Sequence, residues 1–307
     1  MDKRSLSYAA ILALLTMVVS GTNNFLTKIA VTAVRDPIVY TTLKNSLVAV
    51  FLVGLLLVLK AWPEIKAASK KQLLQLFAVG IVGGSVPFAL YFTGLAQTTA
   101  VNASLIHVTL LFWVFLFAVP ILRERMSGLQ WLGVGAIFAA NLFVGGFTGF
   151  RFNTGELLIL AATVLWGLEN VIAKQALRGL SSLTVAAARM VLGSLVLLFI
   201  ALPRGGASAF AALNAAQWGW TLLTSALLVV YVLSWYAALK HAPATYVATL
   251  LVPATLVTNA LSAVFITHSL SLMDMASSGL YAVGIVLVTF FAGKITHGAL
   301  PRVARDS

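Results

Sequence analysis

The chain is predicted to be an all-α membrane protein, with ten transmembrane helices arranged as two inverted five-helix repeats. Three observations carry this. Hydrophobic residues make up 61% of the 307 positions and charged residues only 9%, with a mean hydropathy of +1.01. A soluble domain of this size needs a charged surface that this composition does not supply. Apolar runs of about 20 residues, long enough to cross a bilayer as helix, recur along the whole chain. Finally, the polar residues inside those runs recur in the same order in both halves.

Ten spans follow from the hydropathy: 8–31, 37–59, 72–95, 100–122, 129–147, 154–177, 183–203, 217–239, 243–267 and 272–293. Several begin with a small polar residue followed three positions later by an amide or carboxyl side chain, the signature of a capped helix start. These pairs are Ser69/Gln72, Ser127/Gln130, Asn153/Glu156, Asn214/Gln217 and Ser271/Asp274. Asp36-Pro37 sets a cap and a first-turn proline before span 2, and Gly179 suits the end of span 6.

The formal net charge is +12, and its location decides what it means. With the N-terminus inside, thirteen basic residues fall in cytoplasmic segments, among them Lys60, Lys70, Arg123 and Lys240. Only Arg35, Arg151 and Arg204 fall on the opposite side. That is the positive-inside bias of a multi-pass inner-membrane protein with both ends cytoplasmic, reinforced by anionic headgroups. It argues against nucleic acid, since no aromatic-interleaved basic surface accompanies it. The absence of cysteine excludes disulfides and thiolate metal sites. The span after Lys3 and Arg4 could pass for a signal peptide, but its counterpart in the second half argues against cleavage.

The repeat is read from residues. Gly21, Asn24, Lys28 and Ala30 correspond to Gly167, Asn170, Lys174 and Ala176, each 146 positions on. Lys44 corresponds to Arg189 at 145, and Gly94-Leu95 to Ala238-Leu239 at 144. The units are 1–147 and 152–295, followed by a cytoplasmic tail, 296–307. Five spans per unit force the second copy to enter the membrane the other way up. Such pairs meet near the midplane and rock to open a shared chamber to alternate sides.

On these residues the chain resembles the EamA-type ten-helix permeases of the drug/metabolite transporter superfamily. The shared features are Gly-x-x-Asn-x-x-x-Lys in spans 1 and 6, the basic residue of spans 2 and 7, and the stretch from Ala238-Leu239 to Pro253. Glu124, ahead of Leu129-Gln130 and Gly133, is a further match. The resemblance implies a cavity lined by helices 1–4 and 6–9, with 5 and 10 peripheral, and export or exchange of small metabolites without ATP. It also marks departures: Arg123 stands at a usual glycine, His268 at the second-half glutamate, and Thr109 where span 9 has Pro253.

Lys28, Lys44, Lys174, Arg189 and Glu169 are the charges inside spans. A charge at mid-membrane costs about 2.5–3.5 kcal/mol on insertion scales, so each must face a cavity, find a partner or snorkel. Lys28 and Lys174 lie near helix ends, where snorkelling competes with a cavity role. Lys44 and Arg189 lie deeper, where binding the carbonyls of a neighbouring helix end is the structural alternative. Four basic groups against one acid favour carboxylates or zwitterions such as amino acids over organic cations. Glu169 is either a proton-coupling switch or a neutralising partner for a basic group across the pseudo-axis. His107 binds a proton or substrate, or makes an interhelical hydrogen bond. Asn24 and Asn170 complete the polar lining. Tyr91, Trp113, Trp166 and Tyr246 are candidates to stack on a substrate, or else serve the lipid interface. Gly83, Gly84 and Pro87 predict a kink or hinge in span 3. Ala254, Thr258 and Ser262 give span 9 a small face for packing.

No paired acid and base, no phosphate loop and no metal-ligand spacing is present, so the sequence predicts a non-enzymatic transporter without cofactor or metal. Its expected partners are a small-molecule substrate and the lipid bilayer, with proton coupling or exchange as the drive and either a monomer or a homodimer as the assembly.

Overall fold

The computed structural model describes residues 3–98, 100–125, 127–142, 152–268 and 272–295. The expected tail at 296–307, Ser271 and the side chains of Lys28 and Asp274 lie outside the described residues. Helix accounts for nearly everything else, and no strand occurs among the described residues. In lipid a backbone must satisfy its own polar groups, and helix is the local way to do so.

Among the described residues, eight helical segments are long and apolar enough to cross a membrane. Span 1 runs Lys3–Val34, span 2 Pro37–Val58, span 6 Thr154–Ala176, span 7 Ser182–Ala201 and span 8 Ala215–His241. Spans 3, 4 and 9 are interrupted. Span 3 comprises Lys70–Gly84 and Val86–Ala96; span 4, Ala100–Val108 and Leu110–Leu122; span 9, Ala244–Leu251 and Ala254–Ser262. At the positions of spans 5 and 10 lie Gly128–Leu142 and Leu272–Ile295, whose described apolar cores are shorter, Gly128–Ala140 and Met275–Val288.

The helix starts obey the cap signals. Ser69 with Gln72 and Asn214 with Gln217 form reciprocal capping boxes. Asp36 accepts from the Ile38 and Val39 amides, and Asn153 from Glu156. Ser181 caps span 7 by accepting from Thr184, a start the sequence reading passed over. Gly179 behaves differently from the expectation. Span 6 ends at Ala176 with Leu177 as its cap, and Gly179 does not adopt the left-handed conformation. Its carbonyl instead accepts from Gln72 Nε2 of span 3 at 3.3 Å.

Contacts between helices pair off as a two-fold axis requires. Span 1 packs on spans 8 and 9 as span 6 packs on spans 3 and 4, while span 2 meets span 7 and span 5 meets span 10. The reciprocity reaches single residues. A Cβ at Gly21 would strike Val257, and one at Gly167 would strike Trp113, 144 positions before Val257. Ala254 and Thr258 belong to this seam: the Thr258 hydroxyl donates to the Gly21 carbonyl at 2.9 Å.

Spans 3 and 7 cross on glycine. A Cβ at Gly84 would collide with the Arg189 carbonyl oxygen and come within 3.1 Å of the Gly193 Cα. Because the obstacle is backbone, it cannot rotate away. Gly84→Ala is expected to cost about 1–3 kcal/mol, read as a lower unfolding temperature in detergent. An unchanged temperature would show that this crossing is not close-packed.

Candidate functional site

A central cavity lies where the two repeats meet. Span 1 contributes Ser20, Asn23 and Asn24; span 3, Phe88; and span 4, His107 and Leu110. Span 6 contributes Trp166, Glu169 and Asn170, span 7 Arg189, and span 8 Leu228, Tyr231 and Trp235. A second hollow shares Ser20, Asn24, His107 and Leu110 and continues between spans 4 and 9 toward Ala248, Leu251 and Thr255. Among the described residues, spans 5 and 10 contribute nothing to either lining. Neither does span 2, which corrects the expectation drawn from the resemblance.

The break in span 3 builds part of the site. Pro87 has no N–H to offer the Gly83 carbonyl four residues earlier, and Ser85 sits off helical geometry at φ −130° and ψ −73°. The freed carbonyl accepts from Trp166 Nε1 at 3.0 Å and from an Arg189 Nη at 3.2 Å. A Cβ on Gly83 would meet the Glu169 side chain and lie 3.3 Å from Arg189 Nε. Gly83, Gly84 and Pro87 therefore mark a real interruption, and the two glycines also admit neighbouring side chains and backbone. Span 4 breaks at the pseudo-equivalent of Pro253 without a proline: the Thr109 hydroxyl donates to the Ile106 carbonyl at 2.6 Å.

Glu169 and Arg189 form the charged centre. The carboxylate accepts from Tyr236 Oη at 2.5 Å and interacts electrostatically with the guanidinium. That guanidinium also lies over the rings of Phe88 and Tyr236, 5.7 and 5.9 Å from their centroids. The partner of Glu169 is thus in its own repeat, on the next span, rather than across the pseudo-axis. Asn170 donates to the Trp166 carbonyl at 2.9 Å and accepts from Trp235 Nε1 at 3.2 Å. Rings of Tyr91, His107 and Trp166 cluster at 5.1–5.5 Å between centroids, and the buried His107 Nδ1 has no hydrogen-bond partner among the described residues.

Other expected site residues sit elsewhere. Lys44 lies behind the lining, donating to Asn23 Oδ1 at 3.3 Å and Thr27 Oγ1 at 3.1 Å. Trp113 packs at Gly167 and Tyr246 is buried in the main apolar core, neither among the lining residues. Lys174 neither lines the cavity nor snorkels. It donates to the carbonyls of Leu239 and Ala242, at the C-terminus of span 8, where a cation suits the helix dipole. Ser20, Asn23, Phe88, Tyr231, Trp235 and Tyr236 are site residues that the sequence reading did not select. Tyr231 and Trp235, four apart and stacked at 6.2 Å, were the available signal in span 8.

The end of the bundle bearing Lys70, Arg123, Arg178 and Lys240, the basic end, is bridged by carboxylates that reach across the repeats. Glu124, after span 4, accepts from the Ala244 and Thr245 amides at 2.7 and 2.9 Å and from the Thr245 hydroxyl at 2.7 Å. Glu64, after span 2, accepts from the Ser181 amide and hydroxyl at 2.7 and 2.6 Å and from the Thr184 hydroxyl. Each takes up amide and hydroxyl donors at the start of a helix in the other repeat. Arg123, before Glu124, is left-handed at φ 57°, the conformation that explains the glycine usual there.

Burial alone would raise the Glu64 carboxyl, but hydrogen bonds from Ser181 and Thr184 and the charge of Lys240 outweigh it and hold the group below its ordinary value of 4.5. A depressed carboxyl stabilises the fold fully above its unfolded pKa, and that contribution is lost as pH falls through the folded one. Acidification through this range should therefore lower the unfolding temperature more for wild type than for Glu64→Gln. Parallel curves would refute the role given to Glu64.

Membrane helices paired by a two-fold axis around a polar, aromatic-lined cavity define a two-repeat, multi-pass membrane architecture. The chain belongs to the EamA-like transporter family, whose model matches it twice, at residues 7–146 and 153–290. A protein of Methanothermobacter thermautotrophicus described as an uncharacterized transporter is 33% identical over 122 residues, covering 38% of this chain and 36% of that one. The uncharacterized transporter YyaM of Bacillus subtilis is 27% identical over 143 residues, covering 45% of this chain and 47% of that one. The chain thus spans about a third to a half of these relatives' lengths. A solved crystal structure superposes with a TM-score of 0.72 at 15% identity, covering 94% of this chain and 99% of that one, a likeness of fold.

Proposed function

We propose that the protein is a secondary transporter that exports an amino acid or related carboxylate by alternating access, without ATP. The observation that carries this is the placement of Asn23, backed by Lys44, and of the aromatic side chains Phe88, Trp166 and Trp235 in one cavity at the junction of the repeats. A charged group and an apolar surface side by side suit a solute with a charged head and an organic body. In this reading the protein lies in the inner membrane, with the basic end and both termini cytoplasmic. Glu124 and Glu64 then close the cytoplasmic side.

Counterflow in proteoliposomes tests it. Vesicles preloaded with unlabelled amino acids or organic acids should accumulate the labelled solute, with and without a pH gradient. Accumulation of none of these solutes, while nucleosides or organic cations are carried, would refute the substrate class. A covalently altered solute would refute transport itself.

A further inference from the structure

We infer that Lys44, held behind Asn23, is the element that selects for a negative charge on the transported solute, and that Arg189 is not. The inference rests on the proposed carriage of carboxylate-bearing solutes and names the residue responsible for it.

The two repeats place a cation at the same point and treat it differently. Lys44 and Arg189 correspond at 145 positions, and Asn23 and Glu169 at 146. In the second repeat the cation has a carboxylate beside it, and that carboxylate has its own hydroxyl donor, Tyr236. In the first repeat the carboxylate position is an amide, Asn23. The hydroxyl position, 144 residues before Tyr236, is Phe92, whose ring packs edge-on against Tyr40 at 6.2 Å. The acid and the group that donates to it are thus both replaced. The charge left over belongs to the first repeat.

Lys44 is 4% exposed, and its described partners are neutral: Asn23 Oδ1, Thr27 Oγ1 and the face of Tyr40, 5.6 Å from the ammonium. An ammonium has three N–H donors, and two acceptors are described for it. A buried cation among neutral groups is costly until an anion approaches it. Asn23 is part of the cavity wall, so an anion arriving there stands next to Lys44 with one side chain between them. At Arg189 the same anion would meet a guanidinium whose field the nearby Glu169 carboxylate already offsets, and would be repelled by Glu169. The solute's carboxylate therefore takes, in the first repeat, the role that Glu169 has in the second.

The test uses benzoate and its uncharged isostere benzamide, followed by the fluorescence of the cavity tryptophans in purified protein. Wild type should bind benzoate about tenfold or more tightly than benzamide, the worth of a charge-assisted contact. Asn23→Asp changes almost no volume and gives Lys44 an internal counter-charge; whether the pair is ionised or neutral, its net charge is zero. It should lose the benzoate preference, whereas Lys44→Arg should keep it. Equal binding of the two probes by wild type overturns the inference, a result that needs no variant to fold. So does an undiminished preference in Asn23→Asp. If the preference behaves as expected and no carboxylate is accumulated in counterflow, the substrate reading falls while the assignment of Lys44 stands.

Discussion

Arg189→Ala is expected to destabilise the protein by about 3–5 kcal/mol, because it leaves the Glu169 carboxylate buried without its cation. Glu169 is 1% exposed, and after the change its described partner is the Tyr236 hydroxyl alone. The loss also frees the Gly83 carbonyl of one of its two donors from the second repeat. The measurement is unfolding temperature and recovered folded yield in detergent. The double variant Arg189→Ala/Glu169→Gln removes both charges and should recover a large part of the loss, since distant and independent effects would simply add. A double variant no more stable than Arg189→Ala would show that the two groups do not compensate each other.

Glu124→Ala should give the second large effect, on conformation more than on folding. Three hydrogen bonds from the start of span 9 end on this one carboxylate, and the second hollow follows the seam between spans 4 and 9. Loss of a charged cap of this kind is worth about 2–3 kcal/mol. If that energy holds the basic end shut, its removal shifts the open-to-closed ratio by roughly 30-fold or more. The chain has no cysteine, so a single cysteine introduced at Ala248 reports the change cleanly. Its modification by a reagent confined to the basic side should accelerate in Glu124→Ala and stay slow in the parent. Equal rates would mean that Glu124 caps a helix without closing a passage.

Much of the fold could be read from the chain because membrane and repeat both leave periodic marks. A span must be helical and apolar, and the caps at Ser69, Asn153 and Asn214 announce its start. The site was legible where a polar residue interrupts an apolar run, as at Asn24, Glu169 and Arg189. It was not legible where the partner is distant in sequence. Tyr236 meets Glu169 from 67 positions away, a separation that no local pattern bridges. Lys174 shows the converse. Its place near a helix end was correct, but its partners are carbonyls at the end of span 8 that no local pattern reveals. Lys44 was rightly put deep, and only the packing shows it behind the wall rather than on it.

The carbonyl that Pro87 leaves free at Gly83 has a consequence for biogenesis. Its two side-chain donors, Trp166 and Arg189, are translated long after it. A nascent first half, inserted alone, carries an unmet acceptor in the hydrocarbon layer, which lipid cannot supply. Span 3 therefore reaches its final shape only once spans 6 and 7 have been threaded beside it. A product truncated after span 5 should accordingly be a substrate for quality-control proteolysis rather than a stable half-molecule.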